Sequence, residues 1–353
     1  MPESCFYPSR MDSALSHALF GLPVGARVRE FEIISVLGSG KSSLTYKAYD
    51  HQLSRLMVIK EYLPAGMARR SGDTFMVEAL PDRADLFKHG LKRFLAEGQY
   101  MGKFQHRVFR EALQLFMENG TAYIIMPYYE GNTLRKLVRE GWRVSELGEL
   151  LVIILPVLSG IFLLHQNNYC HCDITPNNVL IRDNDSPILL DFGGVQKKGV
   201  SADRPIIDLA PGFAAKEQYE SVDILGPWTD IYAISALSYY IVTGSIPDVS
   251  VSRIVHDSLK PLSSFATSEL PFNVLKVIDK GLAVEVDDRY DDIASFAIAL
   301  KNAITETLMK STNPIVDEKM SVEKALASFT PRHQRVLENA AELRHQLQAY
   351  AEV

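Results

Sequence analysis

The residues most able to do chemistry lie in Tyr169-Cys170-His171-Cys172-Asp173-Ile174-Thr175-Pro176-Asn177-Asn178-Val179-Leu180. Asp173 stands five residues before Asn178, and Pro176 keeps the intervening segment out of helix, so the stretch reads as a loop running into a short strand. Thirteen residues after Asn178, Leu189-Leu190-Asp191-Phe192-Gly193 reads as an apolar strand stopped by a carboxylate. Two carboxylates and an amide oxygen in this pattern suit phosphoryl transfer. One carboxylate takes or orients the proton of an attacking hydroxyl. The other, with the amide oxygen, holds Mg²⁺ on nucleotide phosphates.

Elements that could position these groups precede them. An alternating apolar run at Phe31, Ile33 and Val36-Leu37 meets Gly38-Ser39-Gly40-Lys41-Ser42-Ser43-Leu44-Thr45-Tyr46, which reads as strand, glycine turn, strand. Glycines there let backbone amides approach phosphates closely. Gly40-Lys41-Ser42 is not a Walker A loop, because Ser35 stands five residues before Gly40 and a strand follows. Met57-Val58-Ile59-Lys60 is an apolar strand closed by a lysine, and Leu91, Phe94, Leu95 and Met101 share one face of a helix that includes Glu97. The connection over residues 65–90 is long, and Ser71-Gly72-Asp73 reads as the turn of a small hairpin. Residues 145–167 give a long buried helix.

Taken together, Asp173 with Asn178 and Asp191-Phe192-Gly193 resemble the catalytic loop and metal-binding tripeptide of the protein kinase superfamily. Lys-Glu-Tyr-Leu-Pro, Asn-Gly-Thr-Ala-Tyr and Gly-Pro-Trp-Thr-Asp-Ile-Tyr add a similarity to bacterial Ser/Thr kinases over about residues 30–303. The resemblance implies an α+β, bilobal fold: a small lobe with a five-stranded antiparallel sheet and one main helix, and a mostly helical large lobe with a C-terminal helical extension. Its boundaries fall at 1–29 for a leader, 30–126 for the small lobe, 127–131 for a hinge, 132–305 for the large lobe and 306–353 for the extension.

The resemblance further implies ATP and Mg²⁺ as cofactors. Asp173 is the implied catalytic carboxylate, with Lys60 held by Glu97; a surface Glu97 pairing with Lys92 or Arg93 is the plainer alternative. Asn178 and Asp191 are the implied metal ligands. Gly38, Ser39, Gly40, Lys41, Ser42, Ser43, Thr45, Val58, Lys60, Met126, Tyr128, Tyr129 and Leu180 are the implied nucleotide contacts. Pro127 lacks an N–H, which leaves Tyr129 as the hinge donor. Asp230 is expected to hold the catalytic-loop backbone, and Arg289 to pair with Glu217.

Composition bounds the reading. The chain has 353 residues, 47% hydrophobic and 23% charged, as in ordinary globular proteins. A net charge of −6 argues against a nucleic-acid partner. Three cysteines form no disulfide framework and suit a reducing, cytoplasmic setting, with export as an effector left open. Cys170-His171-Cys172 lacks the second ligand pair of a structural zinc site. The apolar run Leu150 to Leu164 is short for a membrane span and reads as a buried helix.

Several positions depart from the resemblance. Cys172 stands where such kinases have the arginine that binds an activation-loop phosphate, and Ser201 is the only hydroxyl residue between Gly193 and Ala215. Control by that phosphorylation is therefore not expected. Thr175 replaces a lysine and Ala210 a threonine that assist transfer. The expectation is an ATP- and Mg²⁺-dependent kinase acting on Ser/Thr hydroxyls of a protein substrate. The alternatives are a nucleotide-binding pseudokinase acting as a scaffold and a kinase of small molecules. Val336, Ala340, Leu343, Leu347 and Tyr350 form one apolar stripe on a tail helix, packed on the core or serving a partner or self-association.

Overall fold

The computed structural model describes residues 21–71, 74–198, 209–221 and 224–311, and in the tail 339, 341, 343 and 345. The chain divides into two units. One runs to Gln105 and resumes over Arg110–Tyr129; the other takes His106–Phe109 and the chain from Glu130 onward.

In the small unit β1 (Arg27–Val28), β2 (Phe31–Ser39), β3 (Ser43–Asp50) and β4 (Arg55–Tyr62) are joined by β7 (Gln114–Glu118) and β8 (Thr121–Pro127). They form one antiparallel sheet in the order β1-β2-β3-β4-β8-β7. The sheet thus has six strands, not the five expected. The extra strand lies in the stretch read as leader, where Leu22, Ala26 and Val28 are buried. Folded structure therefore starts before residue 30, where those three apolar side chains are withdrawn from water and Leu22 N–H donates to the Tyr46 hydroxyl at 3.1 Å. The long connection after β4 holds a hairpin of β5 (Ala68–Arg70) and β6 (Val77–Ala79).

Helix α1 (Ala84–Lys103) buries Phe87, Phe94, Glu97 and Met101 along one stripe. Tyr62 of β4 packs against two of these, with ring centroids 5.1 Å from Phe87 and 5.6 Å from Phe94. That contact fixes the helix beside the strand that carries Lys60.

The large unit is built around α2 (Leu147–Gln166), apolar all round and therefore a core helix. By length and composition it could cross a membrane, yet 78% of its apolar window is buried inside the protein. Helix α3 (Pro227–Thr243) is buried as well. It opens with Pro at its first position and closes at Gly244 with φ 77°, a left-handed residue that ends a helix without Cβ strain. Helices α4 (Phe272–Gly281) and α5 (Ile293–Ser311) complete the layer. Three short strands, β9 (Gly131–Thr133), β11 (Val179–Arg182) and β12 (Pro187–Leu189), form a sheet in the order β12-β11-β9, and β10 (Tyr169–Cys170) pairs with β13 (Gln196–Lys197). Asn178 directly precedes β11, and Asp191 follows β12 by two residues, so the antiparallel pair β11–β12 delivers both to one end of a small rigid ribbon.

Candidate active site

In the small unit Lys60 is a register partner of Thr45 on β3 and Ile124 on β8. Its Nζ donates to Glu97 Oε1 at 2.6 Å, with the two side chains only 11% and 6% exposed. Glu97 thus meets the strand lysine. Strand alternation turns the next residue, Glu61, to the opposite face. There its carboxylate accepts from Arg70 Nη2 at 2.6 Å and from the Tyr46 hydroxyl at 2.7 Å. Burial and the Glu61 charge push the hydroxyls of Tyr46 and Tyr123 well above their ordinary value, so both stay protonated. Ion pairs on both faces therefore fasten β4 where Lys60 leaves it.

The glycine turn is closed by Gly40 N–H donating to Ser43 O at 2.8 Å. Its tip is held from just beyond β4: Leu63 N–H donates to Ser42 O at 3.0 Å, and Ala65 N–H to Lys41 O at 2.9 Å. Gly38, Ser39, Gly40, Lys41 and Ser42 are exposed, Thr45 is half-buried and Ser43 is buried. A Cβ at Gly38 would meet nothing within 4 Å, and at Gly40 nothing nearer than 3.7 Å. The internal packing of the protein therefore does not demand these glycines. The bare backbone leaves room for a group from outside, as a phosphate requires. Val58 and Met126 are register partners in the buried layer, while Tyr128 and Tyr129 are half-buried. Lys47 Nζ sits 4.3 Å from the Tyr128 ring centroid.

In the large unit Asn178 Nδ2 donates to Asp173 Oδ2 at 2.8 Å and to the Asp173 carbonyl at 3.1 Å. With its nitrogen engaged, the amide turns its oxygen away from Asp173, as a metal ligand must. Asp191 Oδ1 accepts from Gly193 N–H at 2.7 Å. Gly194 lets the two segments meet, since a Cβ there would fall 2.6 Å from Asp173 Cβ and 2.8 Å from His171 O. The side-chain oxygens of Asn178 and Asp191 are hard donors of the kind Mg²⁺ takes. Leu180 is buried in β11.

The loop around Asp173 is set by Asp230 in the first turn of α3. Its carboxylate accepts from the N–H of His171 and of Cys172, both at 2.8 Å, and from His165 Nε2 at 2.8 Å. Burial pushes the Asp230 carboxyl up. The His165 hydrogen bond and the Cys172 N–H outweigh that and bring it below the usual carboxylate range. Burial lowers His171 despite the attraction of Asp230 and Asp191, which keeps the imidazole neutral. Cys172 has φ 59°, a left-handed conformation that costs a non-glycine residue about 1–2 kcal/mol. The peptide bonds on either side hold it there: Asp230 takes the N–H, and Gln218 Nε2 donates to the Cys172 carbonyl at 2.9 Å.

Gln218 belongs to a segment anchored at several points. Its Oε1 accepts from Ala215 N–H at 3.0 Å, and Ser250 Oγ donates to Ala214 O at 2.9 Å. Arg289 grips Glu217 with two bonds of 2.8 and 3.1 Å, both side chains buried, and Thr229 Oγ1 adds a third at 2.8 Å. Thr175 is buried and Ala210 half-buried; Ser201 lies outside the described residues. Sequence reasoning missed Gln218, Gly194 and His165. It also missed the segment His106–Phe109, where His106 Nε2 lies 3.1 Å from Ser159 Oγ and Phe109 meets Phe192 edge-on at 4.9 Å.

Comparison with known proteins agrees on one family. A family model described as protein kinase domain matches residues 31–291. Serine/threonine-protein kinase PknD of Chlamydia abortus is 24% identical over 318 residues, covering 80% of this chain and 32% of that protein. PknA of Nostoc sp. is 25% identical over 283 residues, covering 77% of this chain and 47% of its own. The chain therefore spans less than half the length of these curated relatives. Among solved structures, "PpkA-294 apo form" superposes with a TM-score of 0.71 at 35% identity, covering 79% of this chain and 99% of that one.

Proposed function

Since the chain belongs to the protein kinase domain family, we propose that it transfers the γ-phosphate of ATP to Ser/Thr hydroxyls of a protein substrate, with Mg²⁺, and without control by activation-loop phosphorylation. The observation that carries the reading is the bond of Asn178 to Asp173, on a loop whose backbone Asp230 clamps. Asp173 orients the acceptor hydroxyl and receives its proton. Asn178 and Asp191 would hold Mg²⁺, which neutralises charge on the phosphates. Lys60, fixed by Glu97, would grip the phosphates, and the backbone from Gly38 to Ser43 would cover them.

Independence from loop phosphorylation is supported by what anchors residues 214–218. Arg289 and Ser250 hold that segment, and Gln218 ties it to the peptide of Cys172 through its own side-chain amide. The relatives' names support a protein as phosphate acceptor, and the buried thiols Cys170 and Cys172 suit a reducing compartment.

Incubation with γ-labelled ATP, Mg²⁺ and casein as a generic protein substrate tests the reading, with Asp173→Ala as control. Label on casein serines and threonines that disappears in the control is expected. Transfer unaffected by Asp173→Ala would overturn the assignment. Nucleotide binding without transfer would favour the scaffold reading.

A further inference from the structure

The tail beyond α5 lies outside the residues that match the family, 31–291. Its four described residues are helical, and their burial alternates. Asn339 and Leu343 are 4% and 5% exposed, while Ala341 and His345 are exposed. Residues four apart share a helix face, so this face is turned into the protein. It carries an asparagine beside its leucine. A buried amide is unfavourable unless bonded, and a bonded one fixes a single register where an apolar stripe alone would tolerate several. Its partner is Arg107, whose Nη2 donates to Asn339 Oδ1 at 2.5 Å across 232 residues of sequence.

Arg107 sits in a segment that packs against Phe192. Val108 O accepts from Leu189 N–H at 2.6 Å, just before Asp191, and Phe109 stacks edge-on against Phe192. A Cβ at Gly160 of α2 would lie 2.3 Å from Val108 and 3.0 Å from Phe109, so the core helix is notched to seat the segment. Towards the N-terminus the segment continues from α1, the helix of Glu97, which ends at Lys103 with Phe104 N–H bonded to Tyr100 O at 3.0 Å.

We infer that the C-terminal helix is a built-in positioning element for phosphoryl transfer, with Asn339 holding Arg107 and through it the segment 106–109 that braces Phe192. Asn339 and Arg107 touch neither nucleotide nor acceptor. They set the ground on which Phe192, next to Asp191, rests. The inference depends on the proposed kinase activity for its catalytic half only, since docking of the tail is measurable without it.

The test uses the full chain and four variants: Asn339→Leu, Asn339→Asp, Arg107→Met and the double variant Arg107→Met/Asn339→Leu. Hydrogen exchange read over 104–110 and 339–345 should quicken in Asn339→Leu in both peptides together, with the thermal midpoint little changed. In casein phosphorylation, kcat should fall about fivefold while the KM for casein holds. Asn339→Asp, which retains the acceptor oxygen, should restore both readouts. The double variant should be no slower than either single one, because both delete the same bond. Unchanged exchange at 104–110 in Asn339→Leu overturns the docking. Additive kinetic losses, or a fall in casein affinity at constant kcat, overturn the positioning role. A wild-type chain with no transfer at all would refute the kinase reading and leave the exchange result to decide the tail.

Discussion

Gln218 Nε2 donates to the carbonyl of Cys172 across 46 residues of sequence. The peptide next to Asp173 is thereby bonded to the segment that ends at α3. A backbone carbonyl does this work at the position where a basic side chain would otherwise receive a phosphate. Such a link forms from groups of the unmodified chain. Gln218→Ala should therefore lower kcat, whereas Ser201→Ala should leave the rate within about twofold, well under the ~1.4 kcal/mol of a tenfold change. Steady-state kinetics of both variants check this. A silent Ser201→Ala beside a fully active Gln218→Ala would show control by phosphorylation.

Asp191→Asn should reduce Mg²⁺-dependent transfer by on the order of 10³, since it removes the charge of the proposed metal ligand and spares the shape of the site. Nucleotide affinity measured in EDTA should change little. Undiminished transfer would remove Asp191 from the metal site.

Glu97→Ala should affect stability as well as rate. A strand-end lysine read from sequence suggests a partly exposed pair, but at 11% and 6% exposure the pair with Lys60 is enclosed. Removing one partner strands a buried charge, at about 3 kcal/mol. Urea midpoints compared with Glu97→Gln, which keeps an acceptor, should show the alanine variant as clearly the weaker. Equal midpoints would mean that solvent reaches Lys60.

Arg289→Ala should be more damaging still, by about 3–5 kcal/mol, because it leaves Glu217 buried against Thr229 with its bidentate partner gone. Replacing both residues, as Arg289→Met with Glu217→Leu, should recover much of the stability. Equilibrium unfolding of the three proteins gives the comparison, and a double variant as unstable as Arg289→Ala would contradict it.

A pH effect follows from His171. Burial holds its folded value below the ordinary 6.5. The unfolded chain takes up the proton near 6.5, the folded chain only at lower pH. The contribution of the neutral ring is therefore complete above 6.5 and is lost as pH falls from there through the folded value. Between about pH 7.5 and 5.5 the urea midpoint of the wild type should fall more steeply than that of His171→Asn. Parallel curves would refute a buried neutral imidazole.

What could be read from the sequence was what is local or periodic. Lys60 closes an apolar strand, Glu97 rides a helix with a clear apolar face, and Asp173, Asn178 and Asp191 have fixed spacing; the structure brings the first two together and ties Asp173 to Asn178. Strand β1 was not legible because two residues have no period, so its stretch passed for a leader. Gln218 and Arg107 were not legible for another reason. Each acts on a residue 46 or 232 positions away, and a polar side chain chosen for such a partner leaves no trace in its neighbours. Gly194 shows only as a repeated glycine; the clash that demands it lies with Asp173 and His171.

The amides of Leu63 and Ala65 that hold the glycine turn carry a consequence for time rather than for affinity. A loop that folds over a ligand must lift to let it leave, and here lifting breaks two backbone bonds at once. Opening of this kind is a local, cooperative event, slower than the swing of an untethered hairpin. Under the proposed activity, the residence time of spent nucleotide, and with it the ceiling on turnover, would be set by two peptide groups beyond the lysine strand.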